Sequence, residues 1–522
     1  MGKQSFITGM LILLGAGLLN RILGFVPRIM LPRLIGAEGV GLYQLGWPFL
    51  SVILTIVIGG IPLAVSKLVA QSEAENNELR TKAILKTSLT LSVTLAFIFT
   101  GICLIASSWI TSHLLTDNRV YYTFISMSPI IIIVSVSSVL RGFFQGKQDM
   151  IPSATSQIVE TIVRIIMVLI CAYVLLPYGI EFAAAGAMLG VLAGEIAGVF
   201  VLVMHYRQTK KKQLPQERSK FGASFKISRT PILSSLLRIT IPVTGSRLVG
   251  ASSYLFESIL IAQSLAAAGI ATAIATAQYG ALQGMVIPIL LLPSALTGAL
   301  STSLIPSLSE AAARKDYETV RMRMNQSMRL ALLAGAPFAV ILFVLADPLC
   351  SLLYNHSEVG SMLAMMAPVA LLIYIQGPLQ AALQALDRPG VALINTLIGA
   401  VVKLVLIYLL VSRPEIGIRG AIIASNINIV LVTLLHLRSV KRWLHYSLHH
   451  IDFLKVLLAM FVSGTCCFMI MRIEWSEQLT VRFFASCAVA VFVYIGMIIG
   501  LRLIHPTDLN RILKLGRKIV KV

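Results

Sequence analysis

Five basic side chains interrupt long apolar stretches of this sequence. They are Arg21, Arg28, Arg164, Arg247 and Lys403. An ionisable residue deep in a membrane span costs at least about 2.5–3.5 kcal/mol, so it faces a cavity, pairs with an acid or reaches the interface. Guanidinium groups stay charged at physiological pH and bind phosphate through paired hydrogen bonds. We therefore interpret the five cations as the binding site for an anionic, phosphorylated substrate.

Acids that could balance these charges are few. The candidates for ion coupling or charge balance are Glu160, Glu195 and Glu257. Glu160 precedes Arg164 by four residues, the spacing of an intrahelical ion pair, so Arg164 has a local explanation beside the cavity. Arg28 could equally reach the interface near Arg33, and Arg247 could pair with Glu257. Arg21 and Arg28 are seven residues apart, which predicts one face of a single first helix.

The composition requires helices that cross a membrane. Hydrophobic residues make up 57% of the chain, the mean hydropathy is +0.86 and the net charge is +21. About fourteen apolar runs are long enough to span a bilayer. Lys and Arg concentrate in alternate loops, which predicts a multi-pass protein of the cytoplasmic membrane with both termini in the cytoplasm. Topology and contact with anionic membrane lipid explain the positive charge, and nucleic acid is not an expected partner.

An internal repeat organises these spans. Residues 128–164 realign with 367–403 at a constant spacing of 239, which places Arg164 on Lys403, and a shorter match places Arg21 on Arg247. The repeat predicts an all-α fold of two six-helix lobes related by an axis along the membrane normal. The predicted parts are an N-lobe at 1–205, a basic cytoplasmic linker at 206–232, a C-lobe at 233–440, helices 13–14 at 441–505 and a basic cytoplasmic tail at 506–522.

Parallel-repeat bundles of this kind are typically transporters. The sequence shows no credible pairing of nucleophile and base, no cluster of metal ligands and no phosphate-binding loop. We therefore expect neither an enzyme nor a bound cofactor. A cavity lined with acids would suit a cationic drug, whereas the excess of arginine favours a phosphorylated cargo.

Several motifs in the N-terminal part resemble a known family. Residues 20–25 read Asn-Arg-Ile-Leu-Gly-Phe, and two further matching segments lie at 35–43 and 61–70. They resemble the stage V sporulation protein B family, in the polysaccharide-transporter branch of the multidrug/oligosaccharidyl-lipid/polysaccharide (MOP) superfamily, which is similar to MurJ-type lipid II flippases. The resemblance implies a fourteen-helix fold, a cargo carried on polyprenyl diphosphate, and a cavity role for Arg21.

The resemblance also implies an ion site in some relatives. Those flippases hold sodium with acids and amides on helices 7, 11 and 12. The candidates here are Glu257, Asn395 and Asn426, whereas the acid on helix 11 is missing. The predicted activity is flipping of a lipid-linked oligosaccharide diphosphate by alternating access. The alternatives are an ion-coupled multidrug exporter and a non-transporting scaffold that recruits cell-wall synthesis enzymes.

Overall fold

The protein is helical in every part that the structure describes. The computed structural model covers residues 6–217, 229–444 and 450–503, and strands are not found in these ranges. Within the described residues, thirteen helical stretches are long and apolar enough to cross a membrane, and the first, Gly15–Ala74, is 60 residues long and holds two of the predicted spans. The predicted all-α polytopic fold is confirmed. The predicted tail and residues 218–228 of the predicted linker lie outside the described residues.

The first compact unit extends over Met1–Met285. Its helices are α1 (Phe6–Leu23), α2 (Phe25–Ile58), α3 (Ile61–Ala74), α4 (Glu78–Trp109), α5 (Val120–Met127), α6 (Ile130–Gly146), α7 (Ile151–Leu175), α8 (Ile180–Glu217), α9 (Arg229–Ala267) and α10 (Thr272–Gly280). Helix α2 is central, because it packs against α1, α7, α8, α9 and α10. The helices that carry Arg21, Arg164 and Arg247 therefore all neighbour α2.

The second compact unit extends over Val286–Val522. Its helices are α11 (Ile287–Leu291), α12 (Ser294–Ala313), α13 (Tyr317–Val344), α14 (Ala346–Tyr354), α15 (Glu358–Ala385), α16 (Pro389–Val411), α17 (Ile418–Leu444), α18 (His450–Arg472) and α19 (Leu479–Gly500). Helix α15 packs against α12, α13, α16 and α17, while α18 and α19 pair with each other and with α13. The lobe boundaries that the repeat defines stay a prediction.

The predicted first helix is divided in two. Helix α1 ends at Leu23 and α2 begins at Phe25, because Gly24 has a ψ of −11° in place of a regular helical value. Arg21 therefore lies in the last turn of α1, and Arg28 lies near the start of α2. The prediction of a single helix that carries both arginines was wrong, whereas their placement on one face stays a prediction.

A stripe of glycines brings α8 against α7. The stripe consists of Gly186, Gly190, Gly194 and Gly198. A Cβ added to Gly190 would lie 2.3 Å from the backbone nitrogen of Val168, and one added to Gly194 would lie 2.6 Å from the Cβ of Arg164. Only glycine permits so close an approach between membrane helices. The stripe therefore fixes the position of the charged side chains on α7.

Candidate functional site

Arg21 and Arg28 are exposed within the first candidate membrane-spanning stretch. The guanidinium carbon of Arg28 lies 6.0 Å from the centre of the Phe25 ring, at the limit of a cation–π contact. A Cβ added to Gly17, one turn before Arg21, would meet no atom within 4 Å, so the space beside α1 is open at this level. Because an arginine in hydrocarbon is costly, such space suits water or a polar substrate.

Arg247 makes a specific contact with the end of α2. Its Nη1 atom donates a hydrogen bond to the Gly59 carbonyl oxygen at 2.7 Å, and the Gly60 N–H donates to the Thr244 hydroxyl at 3.0 Å. The last carbonyls of a helix lack partners within the helix, and a cation there is favourable. Glu257 is ten residues further along α9, about 15 Å away, so the alternative of an ion pair with Arg247 is not met.

Arg164 belongs to an ionic network that connects α6 and α7. Its Nη1 atom lies 3.1 Å from Glu160 Oε1, and Arg141 Nη2 lies 2.5 Å from Glu160 Oε2. The local pair expected from the spacing of Glu160 and Arg164 is confirmed. Arg141 is a site residue that the sequence interpretation missed, because it was counted only among the charges that set the topology. Its position near the end of an apolar run was the available signal.

Glu195 adds a second carboxyl group to this network. Its side chain lies within electrostatic reach of Glu160, Arg141 and Arg164. Its Oε2 atom is buried and has no hydrogen-bond partner among the described residues. A hydrogen bond between two carboxyl groups requires a proton, because two carboxylates both accept. The arrangement can therefore hold one exchangeable proton between two cations.

Glu257 lies in a different environment, among tyrosines of the first unit. It is buried and within electrostatic reach of both Tyr254 and Tyr279. The Tyr279 hydroxyl donates to the Ser258 hydroxyl at 3.0 Å, and Tyr279 is 1% exposed. Glu257 is thus a buried acid in a hydroxyl-rich cluster on α9 and α10.

Tyr43 on α2 connects the cations of the first unit. Arg28 and Arg164 both lie close enough to its hydroxyl to act on it electrostatically. The tyrosine cluster around Tyr254 also lies within electrostatic reach of Tyr43. The structure therefore brings Arg28 and Arg164 into one neighbourhood. Lys403 is half-buried on α16 of the second unit, and its convergence with the other cations stays a prediction.

The two amide candidates of the second unit lie apart. Asn395 Nδ2 is 3.1 Å from His436 Nδ1 and donates to the Ser439 hydroxyl at 2.9 Å. Asn426 donates instead to the Met365 carbonyl oxygen at 2.8 Å. His436 and Asn426 are ten residues apart on α17, about 15 Å along the helix axis. Asn395 and Asn426 are therefore not placed to share one ion.

An ionic cluster joins the loop before α5 to α2 and α10. Arg119 Nη1 lies 2.6 Å from Glu38 Oε1, and Arg119 Nη2 lies 3.0 Å from Asp117 Oδ2. The Thr276 hydroxyl donates to the same Asp117 oxygen at 2.7 Å. Hydrogen bonding to Asp117, reinforced by Glu38, holds the pKa of Arg119 above its ordinary value, so its guanidinium stays charged. We call Glu38, Asp117, Arg119 and Thr276 the outer cluster, since the charge pattern of the sequence predicts that this end faces the exterior.

Backbone contact between α2 and α10 accompanies the outer cluster. A Cβ added to Gly41 would lie 2.0 Å from the Thr276 carbonyl oxygen, and one added to Gly280 would lie 2.1 Å from that of Ala37. Gly36, just before this contact, has a φ of +66°, a conformation that side chains other than glycine rarely adopt. The two helices are therefore closed against each other at this end.

Solved membrane proteins share the fold of this chain. Lipid II flippase MurJ in an inward closed conformation matches with a TM-score of 0.71 and 16% identity, over 94% of this chain and 99% of that chain. An inward-facing MATE family transporter of the MOP superfamily matches with a TM-score of 0.62 and 18% identity, over 81% and 94%. The fold class is therefore the fourteen-helix, two-lobed fold of these transporters.

Sequence comparisons define the family. Residues 6–312 match the model of the polysaccharide biosynthesis proteins, and residues 248–409 match the MatE model. Stage V sporulation protein B of Bacillus subtilis (strain 168) is 42% identical over 100% of both chains. Lipid II flippase MurJ of the same organism is 26% identical over 95% of this chain and 96% of its own length. The chain belongs to the polysaccharide biosynthesis protein family of the MOP superfamily.

This membership defines the general activity. The relatives are transporters and flippases rather than enzymes, so the chain is a MOP-superfamily flippase or transporter of a membrane.

Proposed function

We propose that the protein moves a polyprenyl-diphosphate-linked oligosaccharide, a lipid II-like peptidoglycan precursor, across the cytoplasmic membrane by alternating access. The observation that carries this proposal is the exposure of Arg21 and Arg28 within a membrane-spanning stretch, where an arginine in contact with hydrocarbon would be costly. A diphosphate offers the acceptor oxygens and negative charge that guanidinium groups bind most strongly. The relative that is named a lipid II flippase supports this cargo, and the 42% identity to a sporulation protein supports a role in spore cortex assembly.

The cations have distinct parts in the proposed mechanism. Arg21 and Arg28 are exposed and meet the diphosphate first. Arg164 is held by Glu160, so a diphosphate that approaches it competes with a carboxylate already in place. Arg247 secures the end of α2, and a bond to one carbonyl leaves most of its donor capacity for a ligand. A binding role for Lys403, which the repeat relates to Arg164, stays a prediction. Neutralisation of these like charges by the cargo lowers the cost of closing the cavity.

The outer cluster supports a state that is closed to the exterior. Both chain termini are cytoplasmic in the proposed topology, so Arg119 and its partners face the exterior beside the kink of α2 at Gly36. Opening outwards requires α10 to leave α2 and the Thr276 hydroxyl to release Asp117. The Arg119 and Glu38 side chains are 32% and 30% exposed, so their ion pair can exchange with water, whereas Asp117 and Thr276 are buried and their separation carries more of the cost of opening.

Net transport needs a source of free energy beyond cargo binding. An ion gradient, the membrane potential or consumption of the product outside can each supply it. We propose the Glu160–Glu195 pair as the site of charge balance and the candidate for coupling to protons, because Glu160 binds both Arg141 and Arg164 and a buried oxygen of Glu195 lies near them without a hydrogen-bond partner among the described residues. Glu257, Asn395 and Asn426 have separate partners, and a role in ion coupling for them stays a prediction.

The test is exposure of lipid-linked precursor on the outer leaflet. Cells depleted of their own flippases express the wild type, Arg21→Ala or Arg28→Ala at matched membrane levels. Arg413→Ala, which changes an exposed arginine in the loop between α16 and α17, is the matched control. We expect the control to restore exposure of the precursor. The two cavity variants should lower this exposure at least about tenfold, which corresponds to the loss of one charged contact with the cargo. The precursor should then accumulate inside the cells.

The outcomes separate the proposal from its alternatives. Normal exposure in both cavity variants would contradict the proposed site and favour a scaffold. Resistance to cationic drugs that survives Arg21→Ala, without any precursor exposure by the wild type, would favour a drug exporter.

A further inference from the structure

A cavity of about 500 Å³ lies away from the cationic site, between the predicted cytoplasmic ends of α3, α4, α6 and α8. Its charged lining consists of Glu73, Glu78, Lys82, Lys86 and Lys147. Helix α6 packs against both α4 and α8 and lies between them. The substrate mechanism uses none of these residues, so the cavity calls for a separate explanation.

The charge of the cavity suits a single phosphodiester. Three lysines face two glutamates, which leaves one net positive charge. Lys147 Nζ lies 3.5 Å from Glu73 Oε1 and 5.2 Å from the centre of the Phe143 ring, so its position is fixed. Lys86 is exposed one helical turn after Lys82 on the same face of α4. A phosphodiester carries one negative charge and accepts hydrogen bonds from several ammonium groups at once.

Apolar side chains continue from the lysines towards the membrane centre. Leu85 and Phe143 are buried in the core of this region, and Leu89, Val136 and Val203 pack partly buried against it. Further along α8, Phe200 is 64% exposed and Met204 is 45% exposed, as expected for side chains that face lipid. A molecule bound at the lysines would therefore extend over an apolar surface, which a free inorganic anion does not need.

Tyrosine and threonine complete the level of the headgroups. Tyr206 lies against Phe143 with a ring separation of 5.8 Å, and Thr209 follows one turn later. Tyrosine is enriched at membrane–water interfaces, because its ring is apolar and its hydroxyl is polar. The cavity thus combines cations, hydroxyl groups and an adjacent apolar surface in the order in which a phospholipid presents phosphate, glycerol and acyl chain.

We propose that this cavity binds an anionic glycerophospholipid of the inner leaflet. Its phosphodiester lies between Lys86 and Lys147, and its acyl chain follows Leu89 and Val203. The site does not depend on the proposed cargo, because it shares no residue with the cationic site. A bound lipid would join the cytoplasmic ends of α4 and α8, which flank α6.

Photo-crosslinking to a defined lipid tests the site. The purified full chain is placed in nanodiscs of phosphatidylcholine that contain a small fraction of phosphatidylglycerol with a photoreactive acyl chain. We expect labelled peptides from α4 and α8 in the wild type. Lys86→Gln should lower their labelling about fivefold, the effect of one lysine near an anionic surface, while Lys86→Arg should retain it. Lys67→Gln is the matched control, since Lys67 is an exposed lysine on α3 outside the cavity.

Each result has a defined meaning. A selective loss in Lys86→Gln supports the lipid site. Equal labelling in Lys86→Gln and wild type, or an equal loss in Lys86→Gln and Lys67→Gln, would overturn it in favour of general attraction to the surface. Displacement of the label by millimolar inorganic phosphate would also overturn it and indicate a site for free phosphate. None of these results depends on whether the protein flips a peptidoglycan precursor.

Discussion

Two helix hairpins occupy matching positions in the repeat but contain different chemistry. Helices α7 and α8 form the first and α16 and α17 the second, and the spacing of 239 residues pairs Glu160 with Gly399. In the first hairpin, Glu160 holds Arg141 and Arg164 by ion pairs. In the second, Gly399 packs beneath Val432 and Asn428. One hairpin therefore carries a charged network where the other has close packing.

The difference extends to the positions that surround this pair. Arg141 corresponds to Gln380 and Ser156 corresponds to Asn395 at the same spacing. Gln380 and Asn395 lie 3.3 Å and 3.1 Å from the two ring nitrogens of the buried His436. The second hairpin thus replaces ion pairs with uncharged hydrogen bonds. At these three positions the second copy of the repeat has uncharged residues, whereas it keeps a cation, Lys403, at the position that corresponds to Arg164.

The largest difference in stability between the two hairpins should follow from replacing a glycine at a helix contact with a larger residue. A Cβ at Gly190 would lie 2.3 Å from the Val168 backbone nitrogen, whereas a Cβ at Gly399 would lie 2.2 Å from the end of the Val432 side chain, which can rotate. We expect Gly190→Val to cost about 3 kcal/mol and Gly399→Val to cost about 1–2 kcal/mol.

Thermal unfolding of the detergent-purified proteins measures both effects. Gly101→Val is the control, because a Cβ there would meet no atom within 4 Å. Equal losses in the two hairpins would contradict the distinction between backbone and side-chain contact.

The second-largest difference in stability should follow from loss of the acid in the first hairpin and of the amide in the second. Glu160→Gln leaves Arg141 and Arg164 facing each other, and removal of one partner from a buried ion network costs about 3 kcal/mol. Asn395→Ala removes uncharged hydrogen bonds, which contribute about 1 kcal/mol within membranes. The same unfolding measurement should rank Glu160→Gln as the more destabilising change. The double variant Arg141→Gln/Glu160→Gln should recover part of the loss, and a failure to recover would argue against the network.

The smallest effect should distinguish the two arginines that share Glu160. The side chain of Arg141 is 21% exposed and that of Arg164 is 31% exposed, and the Arg141 contact is the shorter of the two. We expect Arg141→Gln to cost about 2 kcal/mol and Arg164→Gln about 1 kcal/mol, because exposure weakens an ion pair. Transport should show the reverse order, since Arg164 is a proposed ligand of the cargo. A larger transport defect in Arg141→Gln would assign the binding role to Arg141 instead.

The sequence by itself determined the class of protein and much of its local chemistry. The long apolar runs reflect the cost of placing each segment in lipid, and the Lys and Arg of the short loops set the orientation of the spans. Both are properties of single segments and can be read from the sequence. The Glu160–Arg164 pair follows from helical spacing alone, and the glycine stripe of α8 follows from small residues at every fourth position. These features need no knowledge of which helix lies next to which.

Only the tertiary structure decided which charged and polar side chains contact one another. Arg141 reaches Glu160 from another helix, Arg247 binds the Gly59 carbonyl across 188 positions of sequence, and Asn395 finds His436 on α17. The helix boundary at Gly24 also places Arg21 and Arg28 on different helices. Contacts of this kind depend on how helices that are distant in the chain pack against each other. A single sequence shows where small residues allow close packing, but it does not show which helices are neighbours.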